Sequence, residues 1–141
     1  YDTVYGEYLS SYKKRIMRKI RDGCKLQSDG KFDDALKLYN EAIEEGVAND
    51  AELSLPYIKR GHIYNLQGNK KLAAADFEKA IALNNDVIGV HYAQAVLLEA
   101  RGEKLKAAQE YRTFVKDAGI VYYDVEITDA LNRIIELEEV S

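Results

Sequence analysis

Tryptophan is absent from this 141-residue chain, and proline, cysteine and methionine occur once each. A single proline removes the usual interruption of long helices. The lone cysteine, Cys24, excludes an internal disulfide, and with only two histidines it makes no zinc motif. It does not fix a compartment; a reducing cytoplasm is the ordinary setting for such a chain, and localisation is otherwise open. No apolar run reaches the ~18 residues of a membrane span, and no signal-peptide pattern is present. Charge of one sign is also lacking: 20 bases against 24 acids give a net charge of -4, which argues against bulk binding of nucleic acid. Because the chain opens at Tyr1 instead of methionine, it is expected to derive from something longer.

What is present repeats. Gly30, Gly68 and Gly102 are each followed five residues later by an alanine (Ala35, Ala73, Ala107) and four residues after that by an aromatic (Tyr39, Phe77, Tyr111). A period of this size points to stacked helical hairpins. Upstream, Gly23, Gly61 and Ala95 share a register, followed by Leu26, Tyr64 and Leu98. Downstream come Ala42, Ala80 and Phe114, then Ile43, Ile81 and Val115. In the first copy Ala35, Tyr39, Ala42 and Ile43 lie at i, i+4, i+7 and i+8, one face of an α-helix. A glycine just past a helix end allows the left-handed backbone that reverses a chain. Each copy is therefore expected to be helix, tight turn, helix, with Gly23 and Gly61 retained inside helices where another backbone comes close.

These residues resemble the tetratricopeptide repeat family, whose unit pairs a small residue in helix A with alanines and an aromatic in helix B. The likeness covers residues 16 to 120, in six slots of three copies. It departs from the family pattern in having no tryptophan, in Phe114 at an alanine slot, and in Val47 and Asn85 where a closing proline is usual. The resemblance implies an all-α, right-handed α-solenoid of antiparallel helix hairpins in a single domain. The expected divisions are a helical extension over about 1-15, repeats at 16-49, 50-87 and 88-121, and a C-terminal capping helix over 122-141.

The longer first spacing comes from about four extra residues between Gly46 and Leu53, read as a longer loop or an extra helical turn. Ser54 is the expected N-cap of the next helix, with Pro56 in its first turn. At the N-terminal end Tyr5, Tyr8, Leu9, Tyr12, Ile16 and Ile20 follow helical spacing, so this segment runs into or packs beside the first repeat. At the other end Ile127, Ala130, Leu131, Ile134 and Ile135 form an apolar stripe, with Glu136, Glu138 and Glu139 facing water over the last hairpin.

The resemblance also implies that A helices line a concave face. The matching positions are Ile20, Cys24 and Gln27, then Ile58, His62 and Asn65, then Tyr92, Val96 and Glu99. An open groove of this makeup suits an amphipathic helix or extended peptide of a partner protein, with Ile58, Tyr92 and Val96 as apolar anchors and His62, Asn65 and Glu99 setting register. The alternative is that a terminal helix of the same chain covers part of it. The basic clamp of co-chaperone repeats for an acidic chaperone C-terminal tail is absent. Ile20 and Cys24 stand at its first lysine and asparagine, Lys59 at its second asparagine, and Gly89 and Ala93 at its last lysine and arginine.

Cys24 and His62 occupy one slot of adjacent A helices, but no strand-to-helix elbow or convergent donors accompany them, so catalysis is not expected. His91 takes an aromatic's place and reads as packing. No phosphate loop follows a strand, and no metal or cofactor is called for. The strongest charge feature is the helical stripe Lys14, Arg18, Arg21 and Lys25, either a solvated face or a docking site for an acidic partner, anionic lipid or nucleic acid. From Asp124 onward six acids (Asp124, Glu126, Asp129, Glu136, Glu138, Glu139) face one base, Arg133. Oppositely charged ends allow head-to-tail self-association as a second function. The leading expectation is a non-enzymatic protein-protein interaction scaffold that docks a partner segment in its concave groove.

Overall fold

Three glycine-led turns close three helix pairs in the computed structural model, which describes residues 2–139, with side chains from Ser11 onward. The pairs are α1 (Asp2–Ser28) with α2 (Phe32–Ala48), α3 (Ser54–Leu66) with α4 (Lys70–Leu83), and α5 (Val87–Ala100) with α6 (Lys104–Asp117); α7 (Ile120–Glu139) follows. Among the described residues there is no strand. Gly30, Gly68 and Gly102 have φ of 77°, 83° and 82°, the left-handed conformation their position after each helix end requires. In each copy the residue after the glycine donates its N–H to the carbonyl five residues back (Leu26, Tyr64, Leu98). The glycine N–H itself reaches Gln27, Asn65 or Glu99. These paired bonds satisfy carbonyls at the end of every A helix and give the three turns the same pattern.

The small residue inside each A helix makes room for a ring. A Cβ on Gly23 would stand 2.6 Å from Cε1 of Tyr39, and one on Gly61 would stand 2.9 Å from Cε1 of Phe77. An aromatic of the same hairpin, and not a backbone as expected from sequence, is what comes close. Tyr39, Phe77 and Tyr111 are all buried, together with Ala35, Ala73 and Ala107, so the repeated slots form one continuous core. Arg60 ties neighbouring hairpins together: it donates to both carboxylate oxygens of Asp76 on α4 (2.7 and 2.8 Å) and to Asn40 on α2 (2.9 Å). Its guanidinium lies 5.6 Å from the ring centres of both Tyr57 and Tyr64.

The extra residues of the first repeat are used mostly as helix. α2 has 17 residues where α4 and α6 have 14, and a short connection through Asp50, at φ 52°, leads to α3. Ser54 is not the cap expected of it. Leu53 precedes the helix, the Asn85 side-chain oxygen accepts the Ser54 N–H (2.7 Å), and the Ser54 hydroxyl turns to the Ala80 carbonyl (2.7 Å). The N-terminal segment is continuous with the first A helix, with Tyr12, Ile16 and Ile20 buried; the side chains of Tyr5, Tyr8 and Leu9 lie outside the described residues.

The last helix departs most from expectation. α7 packs on α6 but also reaches back to α1, crossing α3 and α5 on the way. It is kinked at Tyr123 (φ -123°, ψ 22°), and its buried face is Tyr123, Glu126, Ala130, Ile134 and Leu137. Leu131 and Ile135, expected in the apolar stripe, are half exposed. Phe114 accounts for part of this path: its ring packs 5.3 Å from Tyr123 and 5.2 Å from Tyr92, filling a slot where the earlier copies have alanine.

Candidate functional site

Of the nine A-helix positions, Cys24, Gln27, Tyr92 and Glu99 bond directly to α7. Ile20, Cys24, Gln27, Ile58, His62 and Tyr92 are buried, whereas Asn65, Val96 and Glu99 keep partial exposure. An open apolar groove over the buried six is therefore corrected to a filled one, because a kinked amphipathic helix supplies the cover.

Polar side chains of α7 grip each A helix in turn. Glu126 is fully buried between α1 and α3, where its carboxylate accepts from Lys59 Nζ (2.5 Å) and from Gln27 Nε2 (3.0 Å). Lys59 is equally buried; its ammonium also donates to the Tyr122 carbonyl and lies 5.5 Å from the Tyr123 ring centre. Gln27 passes the network on, accepting from the Tyr39 hydroxyl at 2.7 Å. Two charges withdrawn from water are tolerable only with such complete pairing. Further along α7, Asp129 accepts from the Tyr92 hydroxyl (2.6 Å), and Arg133 pairs with Glu99. Near the start, Tyr123 donates to Asp86 at the head of α5, and Ser28 donates to Asp124 (2.5 Å).

Cys24 and His62 do not make a nucleophile pair. The Cys24 thiol is directed to the Tyr122 carbonyl at 3.6 Å, and burial, the largest influence on it, pushes its pKa up despite the nearby Lys59 ammonium. A thiol so placed stays protonated and is a poor nucleophile. His62 Nδ1 lies 2.7 Å from the Tyr92 hydroxyl. Because that hydroxyl donates to Asp129, the histidine must carry its proton on Nδ1 and donate to the tyrosine. His91 pairs with Glu110 at 2.6 Å on the other side of α5. Among the described residues no group of acids, histidines and cysteine is arranged to hold a metal ion, and no helix is long and apolar enough to cross a membrane.

Beside α7 an open hollow of about 640 Å³ remains, lined by Asn65, Lys70, Val96, Glu99 and Arg133 among others. It holds the three expected groove positions that α7 leaves accessible. Its charges are of both signs and largely answered within the chain, since Lys70 donates to the Asn65 side chain (2.7 Å) and Arg133 to Glu99.

Over 100 residues the sequence is 30% identical to the tetratricopeptide repeat and J domain-containing co-chaperone DNJ1 of Cryptococcus neoformans var. grubii. The match takes in 69% of this chain and 18% of that protein, so the chain spans less than a fifth of the relative's length. No family model and no solved structure matches. The likeness hints at repeats of the tetratricopeptide type, and the succession of packed helix pairs fits such a helical repeat.

Lys14, Arg18, Arg21 and Lys25 are all exposed along α1, and none has an ion-pair partner among the described residues. The acids of the other end are less free. Asp124, Glu126, Asp129, Glu136 and Glu138 all have partners inside the chain. Sequence reading missed the roles of Lys59, Glu126 and Arg133, each a charged residue of the kind that normally faces water. The one signal was Lys59 itself, placed between Ile58 and Gly61 on the face that packs.

Proposed function

We propose that this chain is a right-handed, tetratricopeptide-type solenoid acting as a non-catalytic protein-interaction module, which holds a segment of a partner protein on its concave side. The observation that carries this reading is α7 itself. Its passage across α1, α3 and α5, with mixed apolar and polar contacts, supports a face suited to a helix. Likeness to a co-chaperone with such repeats supports the same class of role. The accessible part of the site is the hollow at Asn65, Val96 and Glu99; Ile20, Cys24, Gln27, Ile58, His62 and Tyr92 take part where α7 moves aside.

An acidic chaperone tail does not fit this surface. The clamp positions hold Ile20, Cys24, Gly89 and Ala93, and the lysine at a fifth, Lys59, is committed to Glu126. Head-to-tail self-association is the weaker alternative, because most of the acids it needs are engaged within the chain.

The test is a photoreactive amino acid placed at Val96 or, as a control, at Leu105, exposed on α6. Illumination in an extract of the source cell should yield a discrete protein adduct from position 96 and none from 105. No adduct, or equal adducts from both, overturns the proposed site.

A further inference from the structure

A second apolar hollow lies at the edge where A helices begin, beyond the Asp86 that Tyr123 of α7 bonds. α1 has 27 residues and α3 has 13, so the N-terminal part of α1 extends beyond the first turn of its neighbour. Two adjoining hollows of about 410 and 270 Å³ result, sharing Met17 and Leu53 as their common wall. Tyr12 and Ile16 floor one end, and Val87 and Ile88 rim the other, with Val87 69% exposed.

The charge beside this trough is of one sign along α1. Neighbours on a helix surface lie three and four residues apart, and those of Met17 include Lys13, Lys14 and Arg21. All three are exposed and have no ion-pair partner among the described residues, whereas Arg15 and Lys19, turned toward α2, are matched by Glu45. Asp86, which lines the larger hollow, is already occupied, accepting from Gly89 N–H (2.9 Å) and from Tyr123. A recessed apolar channel with unanswered cations on its α1 side fits an apolar helix face with acidic flanks. A flat bilayer would not reach into it.

We propose that the Met17–Leu53–Val87 trough is a docking surface for an acidic amphipathic helix of a partner protein, with Lys13, Lys14 and Arg21 meeting its carboxylates. This rests on the reading of the chain as a protein-interaction module and adds a surface separate from the α7 side. Electrostatic complementarity of this kind sets orientation and association rate, while the apolar strip supplies the buried contact.

The experiment uses the full chain and a fluorescent synthetic helix of about 18 residues, long enough to hold helical structure once docked. It carries Leu at i, i+3, i+4 and i+7 and Glu on both flanks, and is compared with its scrambled sequence and with a Lys-flanked version. Saturable binding is expected for the Glu-flanked helix alone. It should weaken about tenfold or more in Met17→Glu and in Lys13→Glu/Arg21→Glu, hold in Leu105→Glu, and fade with salt. Lys13 and Arg21 are exposed and have no ion pair among the described residues, so the double variant stays informative even if Met17→Glu is unstable. Absence of binding, equal binding of the scrambled helix, or binding only to phosphatidylserine vesicles overturns the proposal. A failure here with a specific adduct at Val96 removes this surface and leaves the interaction module standing.

Discussion

Lys59 on α3 and Glu126 on α7 form an ion pair 2.5 Å long with both side chains entirely out of solvent. The pair joins an A helix to the segment that covers it. Removing one partner leaves the other buried and uncompensated, so Lys59→Ala or Glu126→Ala should cost about 3–5 kcal/mol of unfolding free energy in urea titrations. The double variant Lys59→Met/Glu126→Leu should recover most of that loss, because apolar groups of similar size can replace a buried pair. If each single variant costs no more than an exposed pair would, Glu126 is hydrated in solution and α7 does not sit as described.

The same pair marks where sequence reading stops. The hairpins were legible because each repeated slot has a local cause: glycine at positive φ in the turns, and a ring seated over Gly23 or Gly61. The path of α7 was not. Its expected apolar stripe included Leu131 and Ile135, which are half exposed, and omitted Glu126, which is fully buried. A carboxylate ordinarily belongs to the solvent face, so a stripe drawn through apolar residues leaves Glu126 out. Only the distant Lys59 reverses that preference, and no local pattern links residues 67 positions apart. Which segment covers the A helices depended on a pairing invisible in either segment alone.

Gly23 should resist replacement despite lying mid-helix. Alanine would gain about 1 kcal/mol in helix propensity, yet its Cβ would fall 2.6 Å from the Tyr39 ring, which is anchored through its hydroxyl to Gln27. Overpacking of this kind costs about 1–3 kcal/mol, so Gly23→Ala should be net destabilising in thermal or chemical unfolding. Ala95, which holds the same slot in the third copy, marks the difference, and Ala95→Gly should lose only about 1 kcal/mol or somewhat more for the cavity.

High pH should unfold this protein before its buried tyrosines ionise. Burial is the first cause that raises Cys24, Tyr39, Tyr92, Tyr111 and Tyr123, while burial and then the bond to Glu52 push Tyr57 up to about 12. A group whose folded pKa is raised contributes stability that is complete below its unfolded value and is lost as pH rises through the folded one. The unfolding free energy should therefore begin to fall above about pH 8.5 through Cys24 and fall more steeply above about pH 10 through the tyrosines. Tyrosinate absorbance should rise in two stages, with the buried group appearing together with loss of helical circular dichroism. Cys24→Ala should remove the earlier slope, and free thiol reagents should label Cys24 only as the chain opens. Rapid labelling of the native protein near neutral pH would contradict the buried, protonated thiol.

Tyr92 offers the sharpest separation between packing and polar fastening where α7 meets the A helices. Its ring sits among Phe77, Tyr111 and Phe114, and its hydroxyl links His62 on α3 to Asp129 on α7. Tyr92→Phe keeps the ring and deletes the link, leaving a buried imidazole N–H and a partly buried carboxylate without this partner. The cost should be about 1–3 kcal/mol, the penalty for stranded polar groups. Because α7 loses one of its fastenings, amide hydrogen exchange should quicken along residues 124 to 139 more than along α2 or α4. The companion His62→Phe deletes a donor to the same hydroxyl but spares Asp129, so it should destabilise without selectively loosening α7. Equal exchange rates across all helices in Tyr92→Phe would mean that α7 and the hairpins unfold as one unit, and that no partner could reach Ile58 or Tyr92 by displacing α7 alone.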